Sequence, residues 1–321
     1  MKSSLPRPSQ AAYIAFTSGI TTLVSSPLIR RLMIRHDVLD TPNHRSSHNV
    51  PIPRGGGLAC MTGVVAASAA DRRRVPVAAV ATALSLGLVG FLDDRAGGLP
   101  VARRLAAQTA LGTIASGSAP QVFRGAVLTP AVVNVVNFMD GINGITGSTA
   151  AIWGINAATL PGASNRTRWL GASAAGAGLG FLPWNAPKAT LFLGDSGSYL
   201  FGGLISAALN GASSNRDMVR VGLPLLPYAA DAAQALISGK RQGLPLIDAH
   251  RRHVYQQLVD TLGLSHATVT AIHAGVALAL AGLSRRRLSV RTAIASGSLV
   301  AAYLSTPGVL RRLGIAAGVQ S

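Results

Sequence analysis

Between Arg74 and Asp93 the chain runs through residues 75–92 without a charged side chain. Runs of this kind recur along the chain. They fall at roughly 11–29, 55–70, 75–92, 103–118, 122–138, 145–160, 168–184, 196–210, 219–238, 264–283 and 290–306. In a hydrocarbon solvent every backbone N–H and C=O must be paired within the segment, which leaves helices or a closed barrel. Continuous apolar runs, as opposed to alternating ones, select helices. Several runs fall short of the ~20 residues that cross a bilayer at right angles, and no connector is long enough to hold a soluble domain. The sequence therefore predicts one all-α domain over 1–321, a polytopic integral membrane bundle of about 10–11 transmembrane helices. Ala and Gly fill the runs and aromatics are only 5%, so close helix-to-helix packing is expected.

Charge narrows the partners. Only 12% of residues are charged, about half the share of a soluble domain, yet the net charge is +18. The arginines come in short clusters between apolar runs (Arg30 and Arg31, Arg72 to Arg74, Arg285 to Arg287) and do not share one soluble face. That distribution argues against nucleic acid and for anionic lipid headgroups. Every one of the 11 acids is Asp. The single cysteine, Cys60, lies inside an apolar run and reads as a small core residue. The first run is long and ends on Arg30 and Arg31, so a retained span is expected and not a cleaved leader.

The polar words between the runs all fall after odd-numbered spans, hence on one side of the membrane. They are DTPNHRSSH…PIPRGGG (40–57), GFLDDRAGGLP (90–100), NVVNFMDGING (134–144), LGDSGS (193–198) and DAHRRHVYQQL (248–258). By this placement nine of the eleven Asp share that face, with Asp71 and Asp217 opposite. Lys and Arg divide almost evenly between the two sides, so the positive-inside rule assigns no orientation.

Each word supports a plain and a chemical reading. Asp93 and Asp94 are adjacent carboxylates that repel unless a cation, an Arg or a proton compensates; otherwise they are a solvated helix end beside Arg95. Asn134, Asn137, Asp140 and Asn143 step by three, so on a helix they form one stripe. Asn134 reads as a packing residue; Asp140, beside Asn137 and Asn143, reads as functional. Asp195, between glycines, offers a hard oxygen suited to Mg²⁺ or else caps the next helix. His250 and His253 flank Arg251 and Arg252, and would share a face if that segment is helical. Lacking a third ligand for zinc, they read as a phosphate clamp. Arg54 opens a run of glycines before a helix, where an anion could sit, after a donor-rich loop that includes Arg45. Asp231 lies inside the ninth span and is expected to face the bundle, pairing Lys240 or Arg241. His266 and His273 are expected to be structural.

In this order the words resemble the polyprenyl-phosphate N-acetylhexosamine-1-phosphate transferases, glycosyltransferase family 4. The resemblance covers about 37–258 and the spans on either side. It implies a Mg²⁺-dependent reaction (Mn²⁺ would also serve) between a UDP-N-acetylhexosamine and a polyprenyl phosphate, undecaprenyl or decaprenyl. The products are polyprenyl-diphospho-sugar and UMP, the first step of a cell-envelope glycan. It further implies a bacterial plasma membrane, an active site on the cytoplasmic face, and an assembly that admits a homodimer. Carried over residue by residue, Asp195 matches the metal-binding Asp. Asp93 and Asp94 match a pair in which one carboxylate is the candidate base. Asp140 matches the Asp of the Asn-rich signature, with Asn137 and Asn143 beside substrate. His250, Arg251, Arg252 and His253, with Arg45 and Arg54, match donor contacts. Two features depart from the pattern: many members carry Asp where this chain has Asn143, and 45 residues between Asp94 and Asp140 is a short interval. The less dense HRRH word favours the branch that uses simple UDP-N-acetylhexosamines over the pentapeptide enzyme.

Two other classes compete. A CDP-alcohol-type phosphotransferase needs several Asp in one compact helical run, whereas here they are spread over four words. A transporter or scaffold needs ionisable residues along a midplane path, where only Asp231 stands.

Overall fold

A computed structural model describes residues 8–42, 50–114, 116, 118–241 and 253–314. The chain is helical nearly throughout: α1 (Pro8–Arg35), α2 (Gly56–Ala70), α3 (Val77–Arg95), α4 (Val101–Ile114), α5 (Ala119–Met139), α6 (Ile145–Thr159), α7 (Asn165–Asn185), α8 (Gly194–Asn210), α9 (Asn215–Gly222), α10 (Leu226–Arg241), the single turn α11 (Val254–Gln256), α12 (His266–Ser284) and α13 (Val290–Arg312). Each apolar run of the sequence becomes a helix, with two differences. The ninth is broken into α9 and α10 by a tight turn over Leu223–Leu225, where Pro224 and Pro227 each remove a backbone donor. The fourth is short, ending at Ile114, while the fifth starts at Ala119 and is a full-length helix.

Among the described residues, five helices are long and apolar enough to cross a membrane: α1, α3, α5, α12 and α13. Their outward faces carry large exposed apolar side chains, among them Phe16 and Val24 on α1, Phe123 on α5 and Ile294 on α13. An apolar surface of that extent is what a lipid-facing protein presents.

The centre is α7 and α8. Every residue of α8 from Ser196 to Asn210 is buried, because α2, α3 and α5 pack around it, while α1, α2 and α6 enclose α7. Small residues make these contacts possible. A Cβ on Gly57 would stand 2.1 Å from the Gly197 nitrogen, and one on Gly90 would stand 2.2 Å from the Asp195 carbonyl oxygen. Backbone therefore meets backbone where α2 and α3 cross the start of α8, and this crossing brings the GFLDD and LGDSGS words together. Gly57→Ala is expected to lower stability by about 1–3 kcal/mol, the usual cost of overpacking, read as a lower unfolding temperature in detergent.

The sequence reading contained no strands, but a small sheet exists. β1 (Leu39–Asp40) pairs antiparallel with β2 (Ile52–Pro53), with Leu39 opposite Pro53 and Asp40 opposite Ile52. Arg54 then bridges to Phe192 in parallel. This clamp ties the start of α2 to the loop before α8. It also changes the meaning of the glycine run. Gly55 and Gly56 donate to the Phe192 carbonyl at 3.3 and 2.8 Å, and Gly57 donates to Leu193 at 2.9 Å. Their N–H groups are spent on the protein and not held open for an anion. The glycines are there for closeness: a Cβ on Gly56 would lie 2.2 Å from the Phe181 ring.

Candidate active site

Asp93 and Asp94 end α3, and neighbouring residues on one helix point to different sides. Asp93 is 1% exposed. It accepts the Leu99 N–H at 2.5 Å, the Tyr199 hydroxyl at 3.0 Å and Arg104 Nη1 at 3.2 Å. Three donors thus hold this carboxylate inside the protein, beside Asp195. Asp94 is half-buried and turned to the start of α8, where Oδ1 accepts the Asp195 N–H and Oδ2 the Ser196 N–H, each at 3.1 Å. A helix start leaves unpaired N–H groups and a partial positive charge, so Asp94 caps α8 from another helix. Gly194 allows this approach. It sits at φ 73°, and a Cβ there would lie 2.5 Å from Asp94 Oδ2.

Asp195 is therefore in the first turn of α8 and not in a free loop. Its Oδ1 accepts Asn137 Nδ2 at 2.7 Å, and the same nitrogen reaches Ser198 Oγ at 3.1 Å. Asn137 lies on the stripe of α5, which explains the spacing. Asn134, one step back, bonds Gln108 Oε1 at 2.7 Å and packs α5 on α4. One step on, Asp140 closes α5, its N–H on the Asn137 carbonyl at 3.2 Å. Burial pushes the Asp140 carboxyl up to about 7; the Thr146 hydroxyl pulls it down and the nearby Asp94 charge raises it again. Asn143 leaves the cluster. Its side chain donates to the Pro187 carbonyl at 3.1 Å, and its N–H meets His266 Nδ1 at 3.3 Å.

Arg54 pairs Asp40 at 2.5 Å and remains 37% exposed on its side chain; its charge acts on Asp94. Three helices, α3, α5 and α8, thus bring Asp93, Asp94, Asp140 and Asp195 to one end of the bundle, with Asn137 between them and Arg54 at the rim. Among the described residues no group of three or more His, Cys, Asp or Glu forms a cage able to hold a metal by itself. The available oxygens still suit Mg²⁺, which takes one or two carboxylates and fills its shell with water and phosphate.

Of the HRRH word, His250, Arg251 and Arg252 lie outside the described residues, as does Arg45. His253 has an extended backbone just before α11. Its Nδ1 lies 3.1 Å from Asp231 Oδ1. That contact corrects the expected pairing of Asp231 with Lys240 or Arg241. Tyr255, on α11, stacks near the His253 ring and donates its hydroxyl to the Phe138 carbonyl at 3.0 Å, which holds this segment against the Asp140 turn. Sequence reasoning missed Tyr199 and Arg104. Arg104 offered a signal, as a cation next to an apolar stretch. Tyr199 offered none, since it is one aromatic in a run of core residues.

Residues 76–211, from α3 through α8, match the family model described as glycosyl transferase family 4. They include all four carboxylates. The chain is similar to the decaprenyl-phosphate N-acetylglucosaminephosphotransferase of Mycobacterium tuberculosis, 28% identical over 82% of this chain and 79% of the relative. It is also similar to the probable undecaprenyl-phosphate N-acetylglucosaminyl 1-phosphate transferase of Bacillus subtilis, 25% identical over 79% of this chain and 78% of the relative. The phospho-N-acetylmuramoyl-pentapeptide-transferase of Symbiobacterium thermophilum matches at 27% over 59% of this chain and 71% of its own length.

Proposed function

We propose that the chain is a member of glycosyl transferase family 4, whose model matches residues 76–211, and that it transfers N-acetylhexosamine-1-phosphate from a UDP-N-acetylhexosamine to polyprenyl phosphate, releasing UMP. The observation that carries the reading is the convergence of Asp94, Asp140 and Asp195 with Asn137 at one end of a lipid-facing bundle. A phosphate oxygen of the lipid attacks the sugar-bearing phosphorus of the donor, and the bond to the UMP oxygen breaks. Both partners are anions, so the site has to lower their repulsion and stabilise charge on the leaving UMP.

Asp94, half-buried and held by two amides, would be the member of the Asp pair that takes a proton from the acceptor. Asp93 holds Arg104 and Tyr199 and so fixes the end of α3. Asp195 and Asp140 would hold Mg²⁺, which supplies charge neutralisation on the donor diphosphate. Asn137 keeps the Asp195 carboxylate oriented through one oxygen. Arg54 adds positive charge at the entrance. The relatives' names make N-acetylglucosamine the first sugar to try, with decaprenyl or undecaprenyl phosphate as acceptor. A nucleotide donor made in the cytosol puts this end of the bundle on the cytoplasmic side.

Purified protein with UDP-N-acetylglucosamine, lipid phosphate and Mg²⁺ is expected to release UMP only when all three are present. UMP released equally without lipid would overturn the assignment as a transferase. In the same assay Asn143→Asp is expected to stay within about threefold of the parent. Its side chain bonds the Pro187 carbonyl away from the carboxylates, so the change removes one exposed hydrogen bond worth about 1 kcal/mol. A tenfold gain or loss would show that position 143 acts on the reaction.

A further inference from the structure

Asp231 is 0% exposed in α10 and cannot touch a substrate. Its carboxylate nevertheless meets donors from two distant parts of the chain. His253 Nδ1 lies 3.1 Å from Oδ1, the Val254 N–H reaches both oxygens at 3.0 Å, and the Tyr303 hydroxyl donates to Oδ2 at 3.2 Å. None of these donors is a Lys or an Arg. A buried carboxylate has to be satisfied by hydrogen bonds, or burying it is costly, and among the described residues these contacts end on 253–254 and on α13.

The arrangement has directional consequences. A carboxylate only accepts, so a proton on Nδ1 is the tautomer that makes the 3.1 Å contact favourable. Nε2 is then left as the acceptor, or as the second donor when the ring is charged. The Val254 contact fixes the backbone immediately after the ring. On the other side, Tyr255 bonds the Phe138 carbonyl at 3.0 Å, and a Cβ on Gly141 would lie 2.1 Å from the Tyr255 hydroxyl oxygen. The ring of His253 thus meets Asp231 through Nδ1 and stacks beside Tyr255, the residue that touches the Asp140 turn. Tyr303 continues the network to His273 Nδ1 at 3.3 Å, whose ring packs on Tyr228, and the Tyr228 hydroxyl lies 3.4 Å from that of Thr146 beside Asp140.

We propose that Asp231 is a positioning residue for the transfer reaction: it holds His253 in the Nδ1–H tautomer and fixes the ring beside Tyr255, whose hydroxyl is tied to the end of α5 just before Asp140. This rests on the function proposed above, and its test is separable from it. Histidine labelled with ¹⁵N in the full-length protein reports the tautomer of each ring, with the His253 signals identified by their loss in His253→Gln. The expected result is protonated Nδ1 on His253 in the wild type. An Nε2–H tautomer there overturns the proposal, whether or not any donor gives UMP.

Kinetics supply the second arm. Asp231→Ala is expected to lower kcat/KM for the UDP-sugar by about 10- to 100-fold, the usual loss when the group orienting an imidazole is removed, with KM for the lipid phosphate unchanged. Asp231→Asn retains an acceptor oxygen for Nδ1 and is expected to recover most of that loss. In a His253→Ala background, Asp231→Ala is expected to cost less than about threefold more, since residues acting as a unit are not additive. Equal losses in both backgrounds would reduce Asp231 to a helix staple and overturn the proposal. A wild type that releases no UMP from any donor would sink the function reading, and the tautomer result would still stand by itself.

Discussion

Asp195→Asn is expected to lower UMP release at least about a hundredfold, a loss of the size seen when one preorganised electrostatic contact to a transition state is removed. Its unfolding temperature is expected to stay within a few degrees of the parent. The two outcomes separate because Asp195 has a structural and a chemical side. The structural one is led by the contact of Asn137 Nδ2 on Oδ1 at 2.7 Å, and an amide oxygen at 195 can accept it as well. The chemical one is the negative charge of a hard oxygen ligand, which the amide lacks. A titration of activity against Mg²⁺ checks it: the variant should need much more metal or fail to saturate. Retention of more than a tenth of the activity with an unchanged metal curve would remove Asp195 from the metal site.

The second large effect falls on Asp93, and its target is stability. Asp93→Ala leaves the Arg104 guanidinium and the Tyr199 hydroxyl facing a cavity. Breaking a buried pair by removing one partner costs about 3–5 kcal/mol, and the lower end applies because Arg104 is 24% exposed on its side chain. Thermal unfolding in detergent should show a fall of many degrees. The double change Asp93→Asn with Arg104→Gln removes both charges and is expected to recover much of the loss. If that double variant still turns over while Asp94→Asn does not, the two adjacent carboxylates are separated into one that holds α3 and one that serves the reaction. A dead double variant with a normal unfolding temperature would return Asp93 to the chemistry.

The helices were legible because an apolar run in a membrane has a single local solution, and the lengths of the runs set the lengths of the elements. The same reasoning could not see the break between α9 and α10, since the run stays apolar through Pro224 and Pro227. It also missed the pairing of Leu39–Asp40 with Ile52–Pro53, two residues each, too short for any periodicity to show. The stripe from Asn134 to Asn143 was read as one face, yet its members part company. Asn134 packs on α4, Asn137 serves Asp195, and Asn143 turns to the Pro187 carbonyl. The spacing predicts which residues share a side of α5, but α5 ends at Met139, and beyond that point the helical rule no longer applies.

Hydropathy and spacing determined by themselves that this chain is a helical membrane bundle and that the Asp words of α3, α5 and α8 gather at one end. Both follow from the order of apolar and polar residues along the chain, a local property. The division of labour among the carboxylates was decided only by the tertiary structure. A carboxylate's role depends on which donors fill its lone pairs, and those donors come from far along the chain. Asp93 receives the Tyr199 hydroxyl, Asp94 the amides of Asp195 and Ser196, and Asp231 the Val254 amide and the Tyr303 hydroxyl.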